Sequence, residues 1–418
     1  MPISQGFDAM RARTAKRGDT TLFWLAMTIS VIGLFYILDA GYAQSMRIGA
    51  GILPKPFIQQ IFALIASVGA FFLLRNVSPE NWKRFAPWGI GIAFFLLFLV
   101  EKMGTTTNEA TRWLRIGPVQ IQPAEFMKVA AVLYLATVLA NKKDWNETWE
   151  QRKKEKTIEA AVILPKLKRL VPGFIILFAV AMIEHEKDIG TACVVLVTGM
   201  AMFFSAPMSL NSKIIVPSLL GVCLLGAVAK EPYRVSRFMV HPNRWQREHI
   251  NDESFQTIHS ELAMASGGVV GTGIGTGRAK HLIPATTSDF IMATIAEECG
   301  VWGPWLCLGI VGAISMRLLQ LAQKAEDRFK KLFMSGVAWW IGIQACTNML
   351  MANATIPAIG IPFPFVSAGG SSLLALWIAV AISDRLSWST AAETAEKEVA
   401  NARRRNRRGN RRTRLSGA

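Results

Sequence analysis

Cysteine is scarce and unpatterned in this sequence. Cys193, Cys223, Cys299, Cys307 and Cys346 lie in or beside apolar segments, and no CxxC spacing occurs. That excludes a disulfide framework and a thiolate zinc site, and leaves small buried hydrophobes. No internal repeat is visible, which excludes a solenoid. Acidic side chains number 29 against 46 lysines and arginines, a formal charge of +17. An excess of that size points first to nucleic acid. Its placement excludes that partner. The positive residues sit in short loops and in the C-terminal tail, as the positive-inside rule requires. No cleavable signal peptide is expected, because the first apolar run is span-length and no small-residue cleavage site follows it.

What is present is apolar length. Hydrophobic residues make up 51% of the 418. About 20 apolar residues cross the hydrocarbon core as a helix. Ten spans are predicted, at 20–41, 57–75, 86–101, 122–140, 170–184, 190–207, 213–230, 289–322, 332–352 and 366–384. The eighth is too long for one straight crossing, and Gly300, Gly303 and Pro304 inside it predict a kink or steep tilt. The class is an all-α integral membrane protein of about ten transmembrane helices. Basic residues cluster in the N-terminus (Arg11, Arg13, Lys16, Arg17), the second-to-third loop (Lys83, Arg84), the 141–169 loop, the eighth-to-ninth loop and the tail. Ten spans place all of these on one side, which is therefore cytoplasmic and holds both termini. The chain divides into a basic N-terminus (1–19), a membrane domain (20–387) and an Arg-rich tail (388–418). The tail is expected to be disordered, either as a solvated run that reinforces topology or as a site for anionic lipid heads or an acidic partner.

Two outer segments are long, 101–122 and 231–288, the second between helices seven and eight. Long connections of this kind are usually functional or disordered, and this one has enough Trp, Phe, Ile and Leu to pack. In the first, Pro123 suits the opening turn of a helix, which puts Glu125 and Lys128 on one face. A carboxylate at that depth needs a partner or a polar cavity. An ion pair of Glu125 with Lys128 or Arg112, or a cavity for a charged head group, both satisfy that. The short turn Glu184-His185-Glu186-Lys187-Asp188 brings four charged residues between two helix ends, where Asp188 can cap a helix or join a site.

The long outer segment carries a predicted short amphipathic helix (Phe255 to Ala263), then Gly267, Gly268, Gly271, Gly273 and Gly275, then Arg278 and Lys280. Glycine lets backbone approach a ligand, and free amides beside basic residues suit phosphate oxygens. The strand-then-helix setting of a nucleotide fingerprint is absent. The segment ends at Asp289, followed by Glu297 and Glu298. Asp289 is either a helix cap or a base in a partly dehydrated cleft. Near the C-terminus, after Asn348, Pro357, Pro362, Pro364 and the Gly369-Gly370 pair forbid a plain helix. That outer stretch is predicted to re-enter and line the same cleft.

These motifs, in this order, resemble the SEDS family (shape, elongation, division and sporulation), the FtsW/RodA group of peptidoglycan glycosyltransferases. The resemblance spans roughly residues 20 to 385 and leans toward the FtsW branch. It rests on Arg112 through Gly117 with Gln122 through Lys128, on Asp188-Ile189-Gly190-Thr191, on Asp289-Phe290-Ile291 with Glu297-Glu298, and on Pro357 through Ser371. Departures from the family pattern are Lys187 for proline, Ser288 for threonine, Ala285 for glutamate, His259 for glutamine and Ala368 for tyrosine.

The resemblance implies polymerisation of lipid II into glycan strands on the outer face of the bacterial cytoplasmic membrane, beside a class B penicillin-binding transpeptidase. It implies Asp289 as the catalytic aspartate. Substrate contacts are expected from Arg112, Gln122, Glu125, Lys128, Asp188, His259, Ser260, Lys280, Ser367, Gly369 and Gly370. Arg112, Lys128 and Lys280 are candidates to neutralise the lipid pyrophosphate. No compact metal motif is present, but carboxylate oxygens suit Mg²⁺ or Mn²⁺, so a divalent cation is a candidate cofactor. Two competing readings are a lipid II flippase or transporter and a non-catalytic scaffold. The polar residues cluster toward the outer ends with no repeat symmetry, which disfavours the first.

Overall fold

The computed structural model describes residues 18–388 apart from 48, 50, 108–109, 118, 142–159, 207–209, 231, 247 and 250–253. The predicted termini and the 141–169 loop therefore lie largely outside the described residues. Apolar segments in hydrocarbon must satisfy their backbone internally, and the helix does so within one segment. In chain order α1 is Thr20–Arg47, α2 Lys55–Leu74, α3 Pro79–Met103, α4 Pro123–Ala140, α5 Ala160–His185, α6 Ile189–Ser205 and α7 Leu210–Lys230. Four shorter helices follow: α8 (Pro232–Val240), α9 (Phe255–Gly267), α10 (Ala279–Leu282) and α11 (Ile291–Cys299). The last three are α12 (Trp302–Lys324), α13 (Arg328–Ala352) and α14 (Gly370–Leu386).

Helices α1, α2, α3, α4 and α12 are long and apolar enough to cross a bilayer, and α5 and α6 carry shorter apolar stretches. Their roles differ. Of the apolar window of α2, 17% is buried inside the protein, against 72% for α4. So α2 presents its apolar side chains outward, while α4 forms the axis that α3, α6, α13 and α14 surround. Glu125 and Lys128 sit on that axis.

The predicted eighth span is corrected. It is not one kinked helix over 289–322. Helix α11 stops at Gly300, whose φ of +63° is left-handed, and α12 starts afresh at Trp302. A left-handed residue cannot continue a right-handed helix. A Cβ at Gly300 would lie 2.3 Å from the Val269 carbonyl oxygen, so the break also lets the glycine-rich segment pack against it.

The first outer segment holds a small sheet that the sequence reading treated as a loop. Strands β1 (Thr105–Thr107), β2 (Ala110–Ile116) and β3 (Val119–Ile121) pair antiparallel in that order, with Thr106 opposite Thr111 and Arg115 opposite Gln120. Residues Thr111 to Ile116 do not alternate polar with apolar, so periodicity gives no strand signal there. The sheet carries Arg112 to the outer mouth of the helices.

Candidate functional site

The site is assembled around the turn that ends the long outer segment. Asp289 is half-buried, one residue ahead of the cap of α11. It does not cap that helix: Phe290 stands at the cap, without a side-chain bond. Among the described residues no hydrogen bond reaches the Asp289 carboxylate. Its backbone, by contrast, is pinned. The Asn348 side chain of α13 donates to the Asp289 carbonyl at 2.8 Å and to the Ile361 carbonyl at 2.6 Å.

Ile361 belongs to the proline-rich stretch, which is irregular from residue 353 to 369, as predicted. Backbone at this depth needs partners from protein. They come from three buried polar side chains. Gln344 Nε2 donates to the Pro362 carbonyl at 2.9 Å, the Gly369 N–H donates to Gln60 Oε1 at 3.0 Å, and Ser367 Oγ donates to the Ser288 carbonyl at 2.6 Å. The Ala368 N–H donates to the Thr287 carbonyl at 2.8 Å. The stretch is thus laced to residues 287–289, beside Asp289. Gly360, at a φ of +70°, completes the approach: a Cβ there would lie 3.5 Å from Asp289 Oδ2.

The short turn after α5 closes the other side. Asp188 caps α6 by accepting from the Thr191 N–H at 3.1 Å, and it accepts from Gln122 Nε2 at 2.7 Å. Gln122 stands at the start of α4 without capping it, which leaves its amide for Asp188. Gly190 fits against the Ile359 and Gly360 carbonyls, where a Cβ would be 2.8 and 3.0 Å away. Arg112 reaches over from β2 and donates to the carbonyls of Glu186, at 3.3 Å, and Lys187. Burial, followed by the Asp188 charge, pushes the Asp289 carboxyl up to about 6, with Arg112 pulling the other way.

Below this level Lys128 Nζ lies 2.7 Å from Glu125 Oε2 and donates to Gln344 Oε1 at 3.1 Å. Of the two pairings open from sequence, Glu125 takes Lys128. Because Gln344 also holds Pro362, the pair supports the floor of the proline-rich stretch.

The glycine-rich segment behaves differently from the expected phosphate cradle. Its amides are taken by the protein. The N–H groups of Arg278 and Ala279 donate to the Glu297 carboxylate at 2.9 and 2.8 Å. Those of Gly275 and Gly277 donate to Glu298 at 3.0 and 3.1 Å. Lys280 Nζ bridges Glu298 at 2.7 Å and Asp39 of α1 at 2.9 Å. Buried carboxylates need donors, and the adjacent amides are the nearest supply. Arg278 is instead the exposed basic residue of this wall. On α9, His259 Nδ1 lies 2.8 Å from the Phe255 carbonyl oxygen within the same helix, and Ser260 donates to the Ala352 carbonyl, which ties α9 to α13. Ser367 and Gly369 are in the laced stretch, and Gly370 opens α14.

Arg112, Gln122, Asp188, Asp289 and Ser367 therefore share one locality, with Glu125 and Lys128 beneath it. Lys280 and Ser260 are committed to holding the outer segment, while His259 bonds within α9. Sequence reading missed Gln60, Gln344 and Asp39. A polar residue inside an apolar span was their only signal. No group of three or more His, Cys, Asp or Glu that could hold a metal ion occurs among the described residues.

Fold and site define a multi-pass helical membrane protein with a carboxylate-centred site built from its outer segments. The chain belongs to the FtsW/RodA/SpoVE family, whose model, described as cell cycle protein, matches residues 19–391. It is 29% identical to the probable peptidoglycan glycosyltransferase FtsW of Escherichia coli O157:H7, over 92% of this chain and 89% of that one. It is 31% identical to the stage V sporulation protein E of Bacillus subtilis, over 78% of this chain and 84% of that one. The fold matches that of the Thermus thermophilus rod shape determining protein RodA, with a TM-score of 0.62 and 23% identity over 89% of this chain and 97% of that one. It also matches a chain of a peptidoglycan synthase complex, solved for the structural coordination of polymerization and crosslinking, with a TM-score of 0.67 and 24% identity over 89% and 98%.

Proposed function

We propose that this protein is an inverting peptidoglycan glycosyltransferase that polymerises lipid II on the outer face of the cytoplasmic membrane. The observation that carries the reading is Asp289: a half-buried carboxylate without a hydrogen-bond partner among the described residues, on a backbone held rigidly by Asn348. A group kept unpaired while its backbone is fixed is suited to accept a proton. Its raised pKa makes it a stronger base than an ordinary carboxylate, yet leaves it mostly ionised at about neutral pH.

In the reaction the acceptor's sugar hydroxyl attacks the anomeric carbon of the donor. The new glycosidic bond forms as the bond to the lipid pyrophosphate breaks, and the hydroxyl proton passes to Asp289. One displacement inverts an α-linked donor to a β-linked product without a covalent intermediate. The leaving group departs as an anion and needs positive charge nearby. Arg112 and the exposed Arg278 are the side chains best placed to supply it. Lys128 and Lys280 act through the carboxylates they neutralise. Ser367, Gly369 and Gly370 shape the wall opposite Arg112, and Gln122 and Asp188 fix the α4 and α6 ends.

The likeness to a chain of a synthase complex supports a class B penicillin-binding transpeptidase as the partner. The sequence places both termini in the cytoplasm. The test is polymerisation of lipid II by purified protein with that partner. Asp289→Ala is expected to abolish glycan synthesis, and a wild-type rate would remove the base assignment. Transfer of labelled lipid II across vesicles without polymer would favour a flippase instead.

A further inference from the structure

Glu186 has no part in the chemistry above. It lies in the turn between α5 and α6, 5% exposed, and neither carboxylate oxygen has a hydrogen-bond partner among the described residues. It lines a cavity of about 230 Å³ between the outer ends of α3 and α5, whose other walls are Leu97, Glu101, Ala181, Met182 and His185. A buried carboxylate with no donor is costly unless it is protonated or meets a cation from outside the chain.

The charged groups around Glu186 come from each neighbouring element. Glu101 faces it from α3 and Asp188 from its own turn, and both raise its affinity for a proton, while Arg112 of β2 lowers it. Arg112 spends donors on the backbone carbonyls of Glu186 and Lys187. Asp188 is engaged with Gln122 and Thr191. His185 is exposed on the cavity wall. Lys102, 60% exposed, lies 3.6 Å from Glu101 at the rim. The cavity is thus lined by two carboxylates, by the apolar Leu97, Ala181 and Met182, and by His185, with Lys102 beside Glu101.

The same two helices continue into the membrane as an apolar surface. Phe98 and Phe178 are 49% and 58% exposed, and the Phe94 and Phe178 rings sit 5.0 Å apart. Helix α3 is a candidate span of which only 28% is buried inside the protein. An occupant with an ammonium for the two carboxylates, a phosphate for His185 and Lys102 and acyl chains for this surface fits the chemistry of all three.

We propose that the α3–α5 cavity is a headgroup pocket that takes the primary ammonium of a bilayer aminophospholipid, of the phosphatidylethanolamine type, with Glu186 and Glu101 as its acceptors. A primary ammonium offers three donors to the two carboxylates, whereas a quaternary one offers none. Burial, followed by Asp188, pushes the empty Glu186 up to about 8, so the bound cation must displace a proton. Binding therefore tightens as pH rises toward about 8.

The probe is short-chain phosphatidylethanolamine titrated into the detergent-solubilised full-length protein, followed by the thermal midpoint and by native mass spectrometry. Saturable binding is expected, with short-chain phosphatidylcholine about tenfold weaker. Glu186→Gln keeps the volume and is expected to weaken phosphatidylethanolamine about tenfold and to remove the pH dependence. Met182→Trp, which fills the cavity, is expected to abolish binding without touching the carboxylate. Equal binding of the two lipids, or unchanged binding in both variants, overturns the proposal. Equal affinity for free ethanolamine overturns the lipid assignment and makes the site one for soluble amines. None of these readings depends on polymerase activity.

Discussion

The Asn348 side chain donates to the main-chain carbonyl of Asp289 at 2.8 Å, across a gap of 59 residues in the chain. The same amide holds Ile361. One buried side chain therefore sets the distance between the carboxylate turn and the proline-rich stretch. Asn348→Leu is expected to lower lipid II polymerisation well before it unfolds the protein. Two buried carbonyls lose a donor, at a stability cost on the order of 1–3 kcal/mol. Polymerisation rate and thermal midpoint, measured together, check this, and an unchanged rate would show that the clamp is not needed.

The pH profile of polymerisation should follow Asp289. The base acts when ionised, so the rate is expected to fall as pH drops through about 6, by about tenfold per unit below it. An inflection near the ordinary carboxylate value of 3.8 would indicate that burial does not govern this group.

Stability at high pH gives a separate check on the same carboxylate. Its folded-state pKa lies above the ordinary value, so its stabilising contribution is full at low pH and is lost as pH rises through about 6. Asp289→Asn is therefore expected to be more stable than the wild type at about pH 8, by up to about 3 kcal/mol, and no different at about pH 3. Thermal melts at the two pH values decide it.

Lys280 is predicted to matter first for folding. Lys280→Met strands Asp39 and Glu298 and is expected to cost on the order of 3–5 kcal/mol. Adding Asp39→Asn removes one stranded charge and should recover part of the loss, with a coupling of about 1–3 kcal/mol. If Lys280→Met instead leaves the melt unchanged and raises only the KM for lipid II, the residue serves substrate rather than packing.

Two glycines in one loop should respond unequally to alanine. At Gly271, φ is +90° and a Cβ would lie 2.2 Å from the Glu298 carbonyl oxygen. At Gly275, φ is +85° but the nearest atom is 4.0 Å away. Gly271→Ala is expected to destabilise by on the order of 2–4 kcal/mol and Gly275→Ala by about 1 kcal/mol, the conformational part alone. Equal losses would mean that the contact with α11 is not tight.

The helical membrane class, the re-entrant proline stretch and the position of Asp289 were legible in the sequence. Each rests on local physics. Apolar runs must be helical in lipid, prolines and paired glycines must break a helix, and a lone carboxylate at the end of a polar segment stands out against hydrocarbon. The break at Gly300 was half legible, because the glycine signals a fault but not whether the helix bends or stops.

The partners of the polar residues were decided by the tertiary structure alone. Gly275 and Arg278 read as part of a cradle for phosphate until Glu298 and Glu297 fold back on their amides. Gln60 lies on α2, Gln344 and Asn348 lie one turn apart on α13, and nothing local in the sequence shows that all three hold one stretch of backbone. The length of the apolar runs fixes which segments enter the membrane. Hydrogen bonds between segments far apart in the chain fix what meets there, so the sequence located Asp289, and the fold left its carboxylate without a hydrogen bond among the described residues, beside the backbone that Asn348 clamps.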